Sequence, residues 1–504
     1  MNADKIYESD GLCALDPALQ SRLLPLFGQV KRMHISFTLS TVPMLLLGVY
    51  LWYLAKGQFL PVAMFMSVFA AASVVNLGVG GLQIGVQPAF VTLLLALGAR
   101  FFGRRPRKIK SGIPLKSTTF LIALFVTYAT VSAFVNPLLF SGTPITNAKL
   151  GGEVPLMFEL GHLNQLAYLL LSFAIYLVAA YRTPSAELTK SLNWFIGGAV
   201  LAALIGFYQF AALKMGLPFP RDFLYTNTYV MYDAYEINGF TRVNSTFSEA
   251  SALAFCLTIA LALVLWRFLS GSVSQRNVIY AGIIVTGLIL TLSTTGFVCL
   301  TYLLTVAGCR YLFHWVGNER ARLAKLLLAF PALVVALTLL AVPAANESFV
   351  KLMHTVILDK RETTSYQERT RMNDDSLTTA AATYWLGAGW GVCRASSFIP
   401  TVLGNVGLPG AVLLFAFWLK LIWSGFRNGN MRRPVHGAVV FALGAVLVDL
   451  AVAAPEIVSP IIWLLFALTA KLEGTPSVSR PPIRQYAFVG ATFPSSSAKR
   501  IRLC

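Results

Sequence analysis

Residues 250–269 read ASALAFCLTIALALVLWRFL, twenty residues with a single charge, Arg267, near the end. As an α-helix a run of this length rises about 30 Å, the thickness of the hydrocarbon layer of a bilayer. Comparable runs recur along the chain of 504 residues, of which 56% are hydrophobic and 12% charged, so too little polar surface is left to face water on all sides. A membrane β-barrel would need short alternating segments, whereas these runs are continuous. The predicted fold class is all-α, a polytopic integral membrane helical bundle.

By apolar length, spans are expected at about 36–55, 61–80, 84–102, 118–139, 162–181, 194–213, 250–269, 278–293, 296–312, 326–345, 400–423, 435–454 and 458–471. Twelve or thirteen of these are full crossings. The stretch VNLGVGG at 75–81 marks the weakest, since glycine destabilises a helix and would let two apolar runs form a broken or re-entrant unit.

The net charge of +19 does not point to nucleic acid, because Lys and Arg lie in short loops between apolar runs and not on an aromatic-interleaved groove. Positive loops are retained on the cytoplasmic side. Taking 100–116 as cytoplasmic, alternation puts Arg182 and Lys190, Arg267 and Arg276, Arg310 to Lys325, and Arg427 to Arg433 on the same side. Three polar stretches, 141–161, 215–249 and 346–399, then fall outside. Three full spans before Arg100 would also put Lys31 and Arg32 outside. The segment 1–35 lacks the charged start and small-residue cleavage site of a signal peptide, so the first span is read as its own insertion signal. Residues 36–472 form the transmembrane domain, and 473–504, rich in Pro, Ser and Arg, read as a disordered basic tail. Six cysteines make no C-x-x-C pair, and no His stands at a ligand spacing from another His, Cys or carboxylate, so neither a metal, a cofactor nor a disulfide framework is indicated.

The polar residues of interest collect in the outer stretches. Arg242 precedes Phe247-Ser248-Glu249-Ala250-Ser251 at the entry to a span. Ser248, Ser251 or Glu249 can simply cap that helix; alternatively Arg242 and the helix start hold an anionic phosphate, with Glu249 as a base at membrane depth. Arg369 and Arg371, near Asp374 and Asp375, read either as a solvated charged face or as further phosphate ligands. Arg394 follows Gly387, Gly389 and Gly391, a backbone able to approach a ligand closely, and precedes another span. Ser293-Thr294-Thr295-Gly296 is a tight turn between two spans whose hydroxyls either serve the turn or support a site at the outer surface. Asp449 and Glu456 flank the outer end of the next-to-last span, where an acid is a functional candidate or, for Glu456, merely solvated.

In their order these features resemble the O-antigen ligase and polysaccharide polymerase family of bacterial inner-membrane proteins: Arg then Phe247-Ser-Glu-Ala-Ser, Ser293-Thr-Thr-Gly between close spans, and a long loop ending Leu386-Gly-Ala-Gly-Trp-Gly-Val-Cys-Arg-Ala-Ser-Ser before Gly404-Asn-Val-Gly-Leu-Pro-Gly. The resemblance covers roughly residues 160–425. It implies a metal-independent, membrane-embedded glycosyltransferase with an architecture related to the type-C fold and a long periplasmic loop. The implied substrate is an undecaprenyl-diphosphate-linked oligosaccharide, and the implied partners are the bilayer and the chain-length regulator and export proteins. The ligase branch places a His shortly after the Gly-rich turn, where this chain has Ser396-Ser397-Phe398, and so the polymerase branch is favoured. On that resemblance Arg242, Arg369, Arg371 and Arg394 would bind the diphosphate and steady its charge. Glu249 would take the acceptor proton, with Asp374 or Asp375 as substitutes and Ser293 and Thr294 in support. Transfer to another acceptor and non-enzymatic transport of the lipid-linked repeat are the competing readings. A transporter should line a central path with charge, whereas here charge gathers in the outer stretches.

Overall fold

The computed structural model describes residues 34–79, 82–102, 117–147, 152–159, 161–227, 236–237, 240–271, 273–314, 364–427, 434–453 and 456–472. The expected span 326–345, the segment 1–33 and the tail 473–504 lie outside the described residues. The protein is an all-α membrane bundle. Its helices are α1 (Thr41–Leu54), α2 (Phe59–Met66), α3 (Pro88–Phe102), α4 (Ser117–Leu139), α5 (His162–Leu177, continued by a π-turn Val178–Arg182), α6 (Ser185–Met215), the single turn α7 (Arg221–Leu224), α8 (Ala250–Leu269), α9 (Gln275–Leu290), α10 (Thr294–His314), α11 (Thr364–Ala382), α12 (Phe398–Arg427), α13 (Pro434–Val452) and α14 (Pro460–Leu472). Among the described residues six segments are long and apolar enough to cross a membrane: 117–139, 162–182, 185–215, 250–269, 398–424 and 434–452.

The first two expected crossings depart from the sequence reading. The run 61–80 is not a helical span: α2 has 8 residues, about 12 Å at 1.5 Å per residue. The chain then enters an antiparallel sheet in which β1 (His34–Phe37) pairs with β2 (Val75–Val79), and β2 with β3 (Leu82–Val86). Glycine at 78 and 85 weakens a helix here, while Val75, Val79, Ile84 and Val86 favour extended backbone. Hydroxyls secure the backbone where the strands begin: Ser40 Oγ donates to Ser73 O at 2.7 Å, and Thr41 Oγ1 to Val74 O at 2.5 Å. Short hairpins also join β4 (Pro144–Asn147) to β5 (Gly152–Pro155) and β6 (Glu236–Ile237) to β7 (Phe240–Thr241).

α8 is the axis of the bundle. Of its spanning window 78% is buried within the protein, against 44% for α4, and α6, α9, α10 and α13 pack around it. The outer helices turn large apolar side chains outward. Val42, Leu46, Val49, Tyr50 and Tyr53 of α1 are exposed, as are Phe120, Val131, Phe134 and Val135 of α4 and Val412, Leu419 and Trp423 of α12. So extended an apolar belt suits lipid and not water.

The two ends of the bundle differ. At one end Lys190 Nζ donates to Ala55 O and Gln58 Oε1, both at 2.9 Å. Arg267 donates to Asn193, Lys471 to Thr183 O, and the Arg310 guanidinium lies 4.2 Å from the centre of the Trp266 ring. The described parts of 141–161, 215–249 and 383–397 gather at the opposite end. The chain enters α1 there, since Ser40 and Ser73 both meet Thr226. Residues 34–40 are thus on the side away from the basic end: α1 runs to the end where Ala55 meets Lys190, and the chain returns through the short α2 and residues 67–73 to Thr226.

Candidate functional site

Between β7 and α8, residues 242–249 run as irregular backbone inside the bundle, with Val243 to Phe247 buried. Such backbone survives in an apolar medium only if its polar groups find partners within the protein. Gln209, from the middle of an apolar run in α6, supplies them: its Oε1 accepts from Asn244 N at 3.1 Å and Ser245 N at 2.7 Å, and its Nε2 donates to Asn244 Oδ1 at 2.7 Å. Tyr225 OH donates to Ser245 O at 2.8 Å, Ser245 Oγ to Ala202 O at 2.6 Å, and Thr246 Oγ1 to Val68 O at 2.5 Å.

This clamp places two of the sequence-predicted residues. Arg242, half-buried, donates from Nε to Thr291 O at 2.9 Å and so lies over the turn joining α9 to α10. Glu249 occupies the N-cap position of α8, but its carboxylate makes no capping hydrogen bond. It lies instead within electrostatic range of Asp449, which is 2% exposed and receives a long contact, 3.7 Å, from Cys299 Sγ. Ser293 is buried, and its Oγ receives Gly296 N at 3.5 Å, serving the turn, while Thr294 opens α10 half-buried.

The glycine-rich loop is tightly built. Gly387, Gly389 and Gly391 have φ of +83°, +115° and +95°. A Cβ on Gly387 would come within 2.5 Å of Asn405 O, on Gly389 within 2.8 Å of Ser132 O, and on Gly391 within 2.5 Å of His162 O. The close approach expected toward a ligand is made to the protein's own backbone on α4, α5 and α12. Three side-chain amides hold the loop. Asn136 Nδ2 donates to Leu386 O and Gly387 O at 3.1 and 2.8 Å. Asn405 Oδ1 accepts from Gly391 N and Cys393 N at 2.9 and 3.0 Å. Asn373 Oδ1 accepts from Ser396 N and Ser397 N at 2.9 and 3.0 Å.

Arg394 emerges from this frame with its side chain 63% exposed, and its Nε stands 3.7 Å from Glu456 Oε1. Gln165 Nε2 approaches the same oxygen at 3.4 Å. On α11 the two arginines are two residues apart, about 200° around the helix, and so serve different faces. Arg369, half-buried, is one turn before Asn373 on the side of the Arg394 loop. Arg371 is exposed and, with Tyr366, Gln367, Thr370 and Asp374, lines a cavity of about 360 Å³; Asp375 is half-buried.

Arg242, Glu249, Ser293, Thr294, Arg369, Arg394 and Glu456 thus share the end of the bundle opposite the basic end. The amides Gln209, Asn136, Asn373 and Asn405 were not singled out from the sequence. Gln209 and Asn136 were detectable as isolated polar residues in apolar runs, but nothing local to them identifies their partners. The chain matches no protein-family model and no curated protein sequence.

Proposed function

We propose that the protein polymerises undecaprenyl-diphosphate-linked oligosaccharide repeats into a surface polysaccharide or exopolysaccharide at the periplasmic face of a bacterial inner membrane. The observation that supports this most is the gathering of Arg242, Arg369 and Arg394 with Glu249 and Glu456 at the end away from the basic loops, which the positive-inside rule assigns to the cytoplasm. In such a transfer an acceptor hydroxyl attacks the anomeric carbon of the donor sugar and negative charge grows on the departing diphosphate. Guanidinium groups grip its oxygens in pairs and offset that charge electrostatically. A carboxylate at the same end takes the hydroxyl proton, Glu249 being the one the sequence nominates. Chain-length regulator and export proteins are the partners such an enzyme serves.

A strain lacking the protein tests the reading. It should carry single repeats on their normal acceptor and no ladder of longer chains; long polymer accumulating on the carrier lipid would refute polymerisation. That second outcome would favour ligase-type transfer to another acceptor.

A further inference from the structure

Glu456 is an acid of this end that the mechanism above leaves unused, and it is better placed than Asp449, Asp374 or Glu249. Asp449 is 2% exposed, inside the bundle and out of reach of a glycan. Asp374 is exposed on α11, where it lines the cavity beside Arg371. Glu249 is half-buried at the helix entry beside Asp449. The Glu456 side chain is 32% exposed, and Oε1 is approached by Gln165 from α5 and by Arg394 from the clamped loop. His162 shares the Gln165 face of α5, and Gly391 packs on that face, where a Cβ would come 3.2 Å from Gln165 Cβ. Three separate elements therefore aim an amide, a cation and a carboxylate at one spot.

The contact between Arg394 and Glu456 is long and open to solvent, so little is lost in breaking it. A diphosphate offers the guanidinium two oxygens and more charge than one carboxylate does. We propose that Glu456, in place of the Glu249 that the sequence nominates, is the general base of the transfer, masked by Arg394 in the free protein and released when Arg394 turns to the donor diphosphate. This rests on the reading of the site as a transferase of diphosphate-linked sugars. The acceptor O–H gives its proton to Glu456, and the oxygen's electron pair makes the new bond to the anomeric carbon. The bond from that carbon to the diphosphate oxygen breaks, its pair leaves with the lipid diphosphate, and Arg394 offsets the added charge. Gln165 is a positioning residue that keeps the carboxylate in place once Arg394 has left.

The test uses the purified full chain with lipid-linked repeats, reading chain formation, released lipid diphosphate and, in added sodium azide, glycosyl azide by mass spectrometry. Glu456→Gln and Glu456→Ala should slow chain formation by about 100-fold or more, the range of a lost general base. Azide attacks without giving up a proton, so it should restore donor consumption by both variants with glycosyl azide as product, a rescue that a merely structural role would not allow. Glu456→Gln within about threefold of wild type would overturn the proposal, as would folded variants that azide leaves inactive. If Glu456→Ala does not fold, Glu456→Gln carries both readouts. Wild type that leaves the donor unconsumed refutes the transferase reading itself, whereas active wild type matched by Glu456→Gln refutes only the base.

Discussion

Replacing Asn405 by Ala should open the glycine-rich loop while leaving the bundle intact. The Asn405 side chain accepts from Gly391 N and Cys393 N and donates to Cys393 O and Thr401 O, the last two at 2.7 Å. It is 3% exposed, so water does not readily take its place. Thr401 O lies within α12, where it has a helical partner. The other three groups, on Gly391 and Cys393, are orphaned. Each costs about 1–3 kcal/mol when buried without a partner, and since Gly391 and Cys393 are only half-buried the sum stays near its lower bound, about 3 kcal/mol. That is about a 100-fold shift in the opening equilibrium of the loop. Cys393 reports it directly. Burial pushes its thiol up to about 12, against the downward pull of a hydrogen bond with Thr379, so the closed loop holds far less of the reactive thiolate than an ordinary thiol would. In a chain whose other cysteines are replaced, Cys393 should be alkylated slowly in the parent and about 100 times faster with Asn405→Ala. Equal rates would refute the clamp.

Gly391→Ala and Gly407→Ala should each lower the detergent-solubilised melting temperature more than Val49→Ala on the lipid face of α1, because a Cβ at 407 would come 2.0 Å from Trp385 O at a φ of +59°; a melt matching that of Val49→Ala would show that the loop yields. Arg369→Ala should impair polymer formation more than Arg371→Ala, since the former stands one helical turn before Asn373, which holds the Arg394 loop at Ser396 and Ser397; equal effects in a ladder assay would contradict the two-face arrangement. A reporter active only outside the cytoplasm should be active when fused after Asp374 and silent after Arg432, and the reverse pattern would overturn the orientation.

Apolar run length located α4, α5, α8, α9, α10, α12, α13 and α14 to within a few residues, because lipid leaves a helix as the one local solution for a long apolar segment. It failed where hydropathy and helix are not the same signal. α6 begins at Ser185, nine residues before the expected span, because the polar turn of Glu187 and Lys190 continues the helix beyond the hydrocarbon to reach α1. At 61–80 the composition is apolar, but the glycines and β-branched residues decide for a short helix and a hairpin. Among the site residues, Arg242, Glu249 and Arg394 were readable as charges at span entries. The partnership of Arg394 with Glu456 and Gln165 was not, since 62 residues separate Arg394 from Glu456 and only the packing of α5 against the loop brings them together. The glycines drew notice, but whether they approach a ligand or the protein's own carbonyls depends on α4, α5 and α12 at once.

The most direct test of the central claim is chain formation from purified lipid-linked repeats by wild type, Arg242→Lys and Arg394→Lys at matched amounts of folded protein, with a chelator present throughout. Lysine keeps the charge but loses the planar fork that grips two oxygens. The expected result is chain growth by wild type in chelator and a loss of about 100-fold or more in each variant, comparable to the roughly 3–4 kcal/mol lost with one oxyanion donor. Near-normal chain growth in both variants, and likewise in Arg242→Ala and Arg394→Ala, would contradict the diphosphate role and return both arginines to interfacial solvation.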